Sequence, residues 1–216
     1  MTRDSASVRD EVEPELMPVE LYLPTGWWLV DVRSKRARDH SIRTLVESRV
    51  GRADDHAKLR AELRAELGRQ AQDAMRAGAF LLAISLMEHD EIGLPAALAG
   101  YRVPRSGGGE LRSLQAAIGP HESVELVEAE RGDVLRTTST SDARLDPNGP
   151  QVPMFRADYW LDLPGTSDLV LLVFTTPLVE AAEAFLDLFD AIAATVAVSP
   201  HDHVPLRTPD DTKDLS

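Results

Sequence analysis

His201-Asp202-His203 sets two imidazoles one residue apart, a pair that could approach a single metal ion. A rigid metal site also needs neighbours that orient its ligands. The polar, proline-containing tail around these residues supplies none, so the pair reads as solvated. Ser106-Gly107-Gly108-Gly109 could wrap an anion, but it lacks the Lys-Ser/Thr continuation of a phosphate loop and reads as a flexible connector. His89, Asp90 and Glu91 place acid and base groups in one loop, the raw material of proton transfer, and as an isolated trio they read as a surface charge cluster. No Gly-x-Ser-x-Gly elbow and no His-Glu-x-x-His helix occurs. The chain has no Cys, which removes disulfides, thiolate zinc sites and cysteine nucleophiles. No catalytic residue, cofactor site or metal site is assigned.

Binding chemistry is better represented. Arg33, Lys35, Arg36 and Arg38 put four bases within six residues, ahead of Arg43, Arg49 and Arg52. Across residues 33–52 seven bases face two acids, a local +5 that could dock an acidic partner or a phosphate group, and that also reads as an island balanced by the protein's own carboxylates. Trp28 precedes this run, and an exposed tryptophan beside arginines is the usual makeup of an interface hot spot; packing beneath the long helix is the equal alternative. Trp28, Arg33, Lys35, Arg36 and Arg38 are therefore the candidate partner contacts. The hydroxyls of Thr137-Thr138-Ser139-Thr140-Ser141 could accept phosphate; the same run also reads as an ordinary polar edge strand.

These groups must be held by a scaffold, and hydrophobic periodicity outlines one. Asp168-Leu-Val-Leu-Leu-Val-Phe174 is nearly continuous apolar sequence and leads through Thr175-Thr176-Pro177 into an amphipathic helix, the pattern of a buried central strand feeding a helix that packs back on its sheet. That helix is expected over about 178–196, with Phe185, Phe189, Ile192 and Val196 inward and Glu180, Glu183, Asp187 and Asp190 outward. Further helices are expected at 41–50 and from Asp54-Asp55 to about Arg76, the second with Leu59, Leu63 and Leu67 on its inner stripe and Gly78 as its stop. A short helix is expected over 110–118.

Strands are expected at 19–23, 27–32, 79–87, 96–103, 124–129, 134–140, 155–163 and 169–174, with a turn at Asp146-Pro-Asn-Gly-Pro150. Adjacent strand residues face opposite ways, so Trp27 and Trp28 are not both expected in the core. Hairpin connections with helices between and after the strands argue for an α+β fold, a three-layer α/β/α sandwich around a largely antiparallel sheet.

At 216 residues the chain suits one domain over 19–198, with a helical insert at about 41–77. Residues 1–18 (net −3) read as a disordered acidic segment and 199–216 as a flexible polar tail. The overall charge is −13, and a field of that sign repels nucleic-acid backbones. The first eighteen residues hold no signal-peptide core, and no stretch is long and apolar enough for a membrane span. The expected setting is cytoplasmic.

Leu23-Pro-Thr-Gly-Trp27 entering a strand, the helical insert, and Leu169-Val-Leu-Leu-Val-Phe-Thr-Thr-Pro177 with the Phe-Asp-Ala-Ile-Ala-Ala-Thr end of its helix resemble actinobacterial PsbP-like proteins. That group also includes the photosystem subunit PsbP, the Ran-binding import factor Mog and mycobacterial lipoproteins of the LpqN type. The resemblance spans roughly residues 19–198 and implies a non-catalytic module that binds another protein, with no catalytic motif to carry over. The chain departs from the lipoproteins in lacking a signal peptide and a lipidation cysteine.

The expected function is accordingly a cytoplasmic protein-interaction module, an adaptor, chaperone or immunity-type partner, with no cofactor. Two alternatives stand beside it: an enzyme or small-ligand binder using a site between the sheet and the long helix, and a structural homo-oligomer.

Overall fold

Burial alternates along the strand Asp168–Thr176, and that alternation locates the centre of the molecule. Val170, Leu172, Phe174 and Thr176 are fully enclosed, while Leu171, Val173 and Thr175 on the other face are only half-buried. The structure, a computed structural model, describes residues 19–105, 111, 114–115, 123–127, 134–144, 149–164 and 166–198. The expectations for 1–18, for Ser106–Gly109, for most of 110–118 and of the 146–150 turn, and for the tail with His201 and His203 lie outside these residues.

In chain order the elements are β1 (Val19–Glu20), β2 (Trp27–Leu29), α1 (Lys35–Val50), α2 (Ala57–Arg76), β3 (Ala79–Ser85), β4 (Glu88–His89) and β5 (Ile92–Gly93). They continue with β6 (Ala97–Pro104), β7 (Ser123–Val127), β8 (Val134–Arg144), β9 (Gln151–Leu161), β10 (Asp168–Thr176), α3 (Ala182–Ala193) and β11 (Ala197–Val198). Seven strands form one sheet in the order β2-β3-β6-β10-β9-β8-β7, every neighbouring pair antiparallel, with β10 fourth of seven. The α+β sandwich expected from the sequence is the observed fold, with helices packed on both faces of a large antiparallel sheet.

On one face, α3 lays Phe185, Phe189, Ile192 and Ala193 over Leu98, Ala157, Tyr159, Leu172 and Phe174. Phe174 is the hub: it stacks on Phe189 at 4.5 Å between ring centroids and meets Tyr159 edge-on at 5.5 Å. Gly100 on β6 faces the same side, where an added Cβ would come within 3.1 Å of Leu81 Cβ and Phe80 Cζ, so those side chains would have to give by a few tenths of an ångström.

On the other face, α1 and α2 form a hairpin over the β2–β3 end. Ile42 and Val46 of α1 and Leu67 and Ala71 of α2 pack on Trp28, Val30, Leu82 and Ile84. α1 lies over β2, where Ser41 Oγ accepts from the Trp28 indole at 3.1 Å and donates to the Leu29 carbonyl at 3.3 Å. α2 lies over β3. Farther along this face, Leu111 packs with Leu135 and Leu169, beside Val103, Leu114 and Trp160.

Three expectations are corrected. α1 begins at Lys35 rather than near 41, because Ser34 caps it, its Oγ accepting from the Ala37 N–H at 3.1 Å. Trp27 and Trp28 do face opposite ways, yet both pack in cores, because the sheet is covered on both sides at β2. Leu59 and Leu63 do not share the inner stripe of α2; they are 46% and 36% exposed, since the helix turns its Arg60–Arg64–Leu67–Ala71 side inward.

Candidate interaction surface

The cap at Ser34 decides which bases reach solvent, because it winds Lys35, Arg36 and Arg38 into the first turn of α1. At about 100° per residue, Arg36 and Arg43 fall within about 20° of each other and His40 within about 60° of both. All three are exposed, as is Lys35 in the first turn, about 100° round the helix from Arg36. Arg38 points the other way. It is 7% exposed, with Nη1 on Met75 Sδ at 3.1 Å and Nη2 on Asp39 at 3.4 Å. Its charge lies against the last turn of α2, where the helix dipole favours a cation, and it is not presented to a partner.

The remaining bases of the run divide in two. Arg33 is held by Asp31 through Nε at 3.0 Å and Nη2 at 2.6 Å, and this hydrogen bonding keeps the Asp31 carboxyl below the usual carboxylate range. Arg49 pairs with Glu88 and Arg52 with Glu47. Among the described residues no ion pair involves Lys35, Arg36 or Arg43. Folding thus resolves the +5 stretch into internally compensated arginines and an exposed, uncompensated set: Arg36 and Arg43 on one stripe, with Lys35 at the start of the helix.

No protein-family model and no curated protein matches the chain. Among solved structures it is similar to LpqN, described as involved in cell envelope biogenesis of Mycobacterium tuberculosis, at 11% identity and a TM-score of 0.45 over 88% of each chain.

Trp28 is half-buried beneath α1, its indole N–H given to Ser41, so it supports the stripe from below. The Arg36–His40–Arg43 side is turned about 110° from the direction of Ile42 and Val46, which pack on the sheet. His89, Asp90 and Glu91 form the exposed tip of the β4–β5 hairpin, with Asp90 and Glu91 at φ of 49° and 64°. Among the described residues no group of three or more His, Asp or Glu side chains could hold a metal. Thr137 is buried between β7 and β9, whereas Thr140 and Ser141 are exposed where β8 runs on beyond Ser123.

One constellation escaped sequence reasoning. Tyr159 on β9 donates its hydroxyl to Asp190 on α3 at 2.6 Å, and Arg136 on β8 bonds both Asp190 and Glu125. Burial, then the hydrogen bond to Asp190, raises the Tyr159 hydroxyl far above its ordinary pKa. The group stays protonated and acts as a fixed donor, so the cluster ties α3 to the sheet. Alternation along Phe155-Ala157-Tyr159-Leu161 was the available signal, since a tyrosine on a buried strand face must find an acceptor.

Proposed function

We propose that this chain is a non-catalytic protein-interaction module of the PsbP-like type. It engages an acidic surface of another protein through the exposed bases Lys35, Arg36 and Arg43 of α1, with Arg33 at their edge. The observation that carries this reading is uncompensated positive charge held on a rigid helix in a protein of net charge −13. An acidic molecule gains nothing in solubility from such an island, whereas an acidic partner gains both attraction and steering from it. The overall negative field argues against nucleic acid as that partner. Among the described residues no helix is long and apolar enough to cross a membrane.

The test is affinity purification from the native host with the wild-type chain and with Lys35, Arg36 and Arg43 all changed to Ser. A stoichiometric protein partner that is retained at low salt, and is lost in the triple variant or at high salt, is the expected result. No stoichiometric partner at low salt, or equal recovery by both chains, rejects the reading.

A further inference from the structure

We infer a second surface, separate from the α1 bases: the outer edge of β8 at Asp142, Ala143 and Arg144 pairs antiparallel with the same edge of a second copy of this chain, joining the two sheets across a two-fold axis at Ala143. The β8–β9 ladder runs on to Arg144 opposite Gln151, whereas β7 leaves β8 at Thr138 and β10 leaves β9 at Phe155. Among the described residues, the four pairs from Ser141 with Met154 to Arg144 with Gln151 therefore form a two-stranded arm with no further strand on either side. The arm is about 13 Å long. Such a ribbon is marginal alone and gains from an added strand. Thr140, Ser141 and Asp142 are consecutive and all exposed, so neither face of β8 is covered there.

The two edges of the arm differ. β9 carries Pro153, which has no N–H to give, and a proline blunts an edge. β8 has no proline from Val134 to Arg144.

Symmetry fixes the occupant and the register. When a strand pairs with its own copy about a two-fold axis normal to the sheet, the residue on the axis meets itself, and the residues one step to either side meet each other. With Ala143 on the axis, Asp142 of each copy stands opposite Arg144 of the other, so one ion pair forms twice. Asp142 on the axis would instead set two carboxylates together. Ser141 there would place Arg144 against Thr138, whose outer side Ser123 already occupies. Neither charge is spent within its own chain: among the described residues no ion pair involves Asp142 or Arg144, and Arg144 makes a 3.4 Å hydrogen bond to the Gly149 carbonyl.

The other face of the arm agrees. Ala143 is paired with Val152, and both are half-buried in the single chain. The joined sheets therefore carry Val152 and Ala143 of each copy as one apolar row over the axis, with a small side chain where a residue must meet itself. α1 lies over β2, at the other end of the seven-stranded sheet, so each copy keeps its basic set open.

The test is sedimentation equilibrium of the full chain, with a charge swap as control. A concentration-dependent dimer is expected, about tenfold weaker in Asp142→Arg and in Arg144→Asp, and restored to within about twofold of wild type in the double variant. Both side chains are exposed, so the swaps leave folding intact. The chain has no cysteine, and Ala143→Cys supplies a second readout. Opposed residues of an antiparallel pair lie about 4.5–5.5 Å apart at Cα, within disulfide reach, so oxidised glutathione should link the dimer at that position. A monomer up to about 1 mM, single swaps that leave the dimer unchanged, a double swap that fails to restore it, or linking at Ser141→Cys but not at Ala143→Cys overturns the inference. So does a dimer lost when Lys35, Arg36 and Arg43 become Ser. So does a monomer whose residues 139–144 gain hydrogen-exchange protection only with the partner recovered at low salt, since a strand of that partner would then hold the edge.

Discussion

The Trp28 indole N–H is given to Ser41 Oγ at 3.1 Å, so the strand that opens the sheet and the helix that displays the basic stripe are joined at a defined height. Ser41 passes its own hydrogen to the Leu29 carbonyl, which closes the link. The contact presents Arg36, His40 and Arg43 on a firmly seated helix rather than on a loop, so little backbone freedom remains to be lost on binding. Trp28→Phe should cost about 1 kcal/mol of stability by chemical denaturation, in line with one lost hydrogen bond. An unchanged denaturation midpoint would mean that Ser41 is satisfied without the indole.

Arg38 and Arg36 are two residues apart and should respond in opposite ways. Arg38→Met removes a buried charge with modest partners and fills similar volume, so stability should hold or rise. Arg36→Ser, on the exposed side, should stay within about 0.5 kcal/mol of wild type while weakening the complex. Thermal and chemical melts of the two variants, read beside binding, separate the seat of the helix from its display.

The tie between α3 and the sheet has a pH signature. Tyr159 has its pKa raised by burial and by Asp190, so the folded state keeps a proton that the unfolded chain gives up near pH 10. Its contribution is whole below about pH 10 and falls as pH rises above it. Tyr159→Phe should lower stability at neutral pH by about 1–3 kcal/mol, because Asp190 loses a donor. It should also flatten the alkaline decline in urea melts; Tyr101, raised by burial as well, leaves a residual slope.

Phe189 is fully enclosed and stacked on Phe174. Phe189→Ala should cost about 3–5 kcal/mol, whereas Leu63→Ala, on the open flank of α2, should cost far less. Equal losses at the two positions would contradict the burial assigned to each.

The β4–β5 turn holds Asp90 and Glu91 with positive φ, a conformation that glycine and asparagine adopt more easily. Asp90→Asn/Glu91→Gly should stabilise the chain by about 1 kcal/mol in denaturant melts. Destabilisation would show that the acidic side chains themselves hold the turn.

A nearly continuous apolar run made β10 legible as a central strand, and spacings of three and four made the inner face of α3 legible. The same reasoning misread Trp28 and the Leu59–Leu63 stripe, since one chain's alternation does not reveal whether a sheet is covered on one side or two. The run 33–52 was legible as charge, but its sorting into Arg38 inside, Arg33 paired and Arg36 free depended on a helix start that Ser34 fixes. The Tyr159–Asp190–Arg136 cluster joins residues 54 apart in sequence, a link that periodicity does not carry.

The most direct measurement is a hydrogen-exchange footprint of the full chain with and without the partner recovered at low salt. Slowed exchange over residues 33–43, abolished together with binding when Lys35, Arg36 and Arg43 become Ser, is what docking on α1 requires. Unaltered exchange there, with protection confined to other elements, would contradict it.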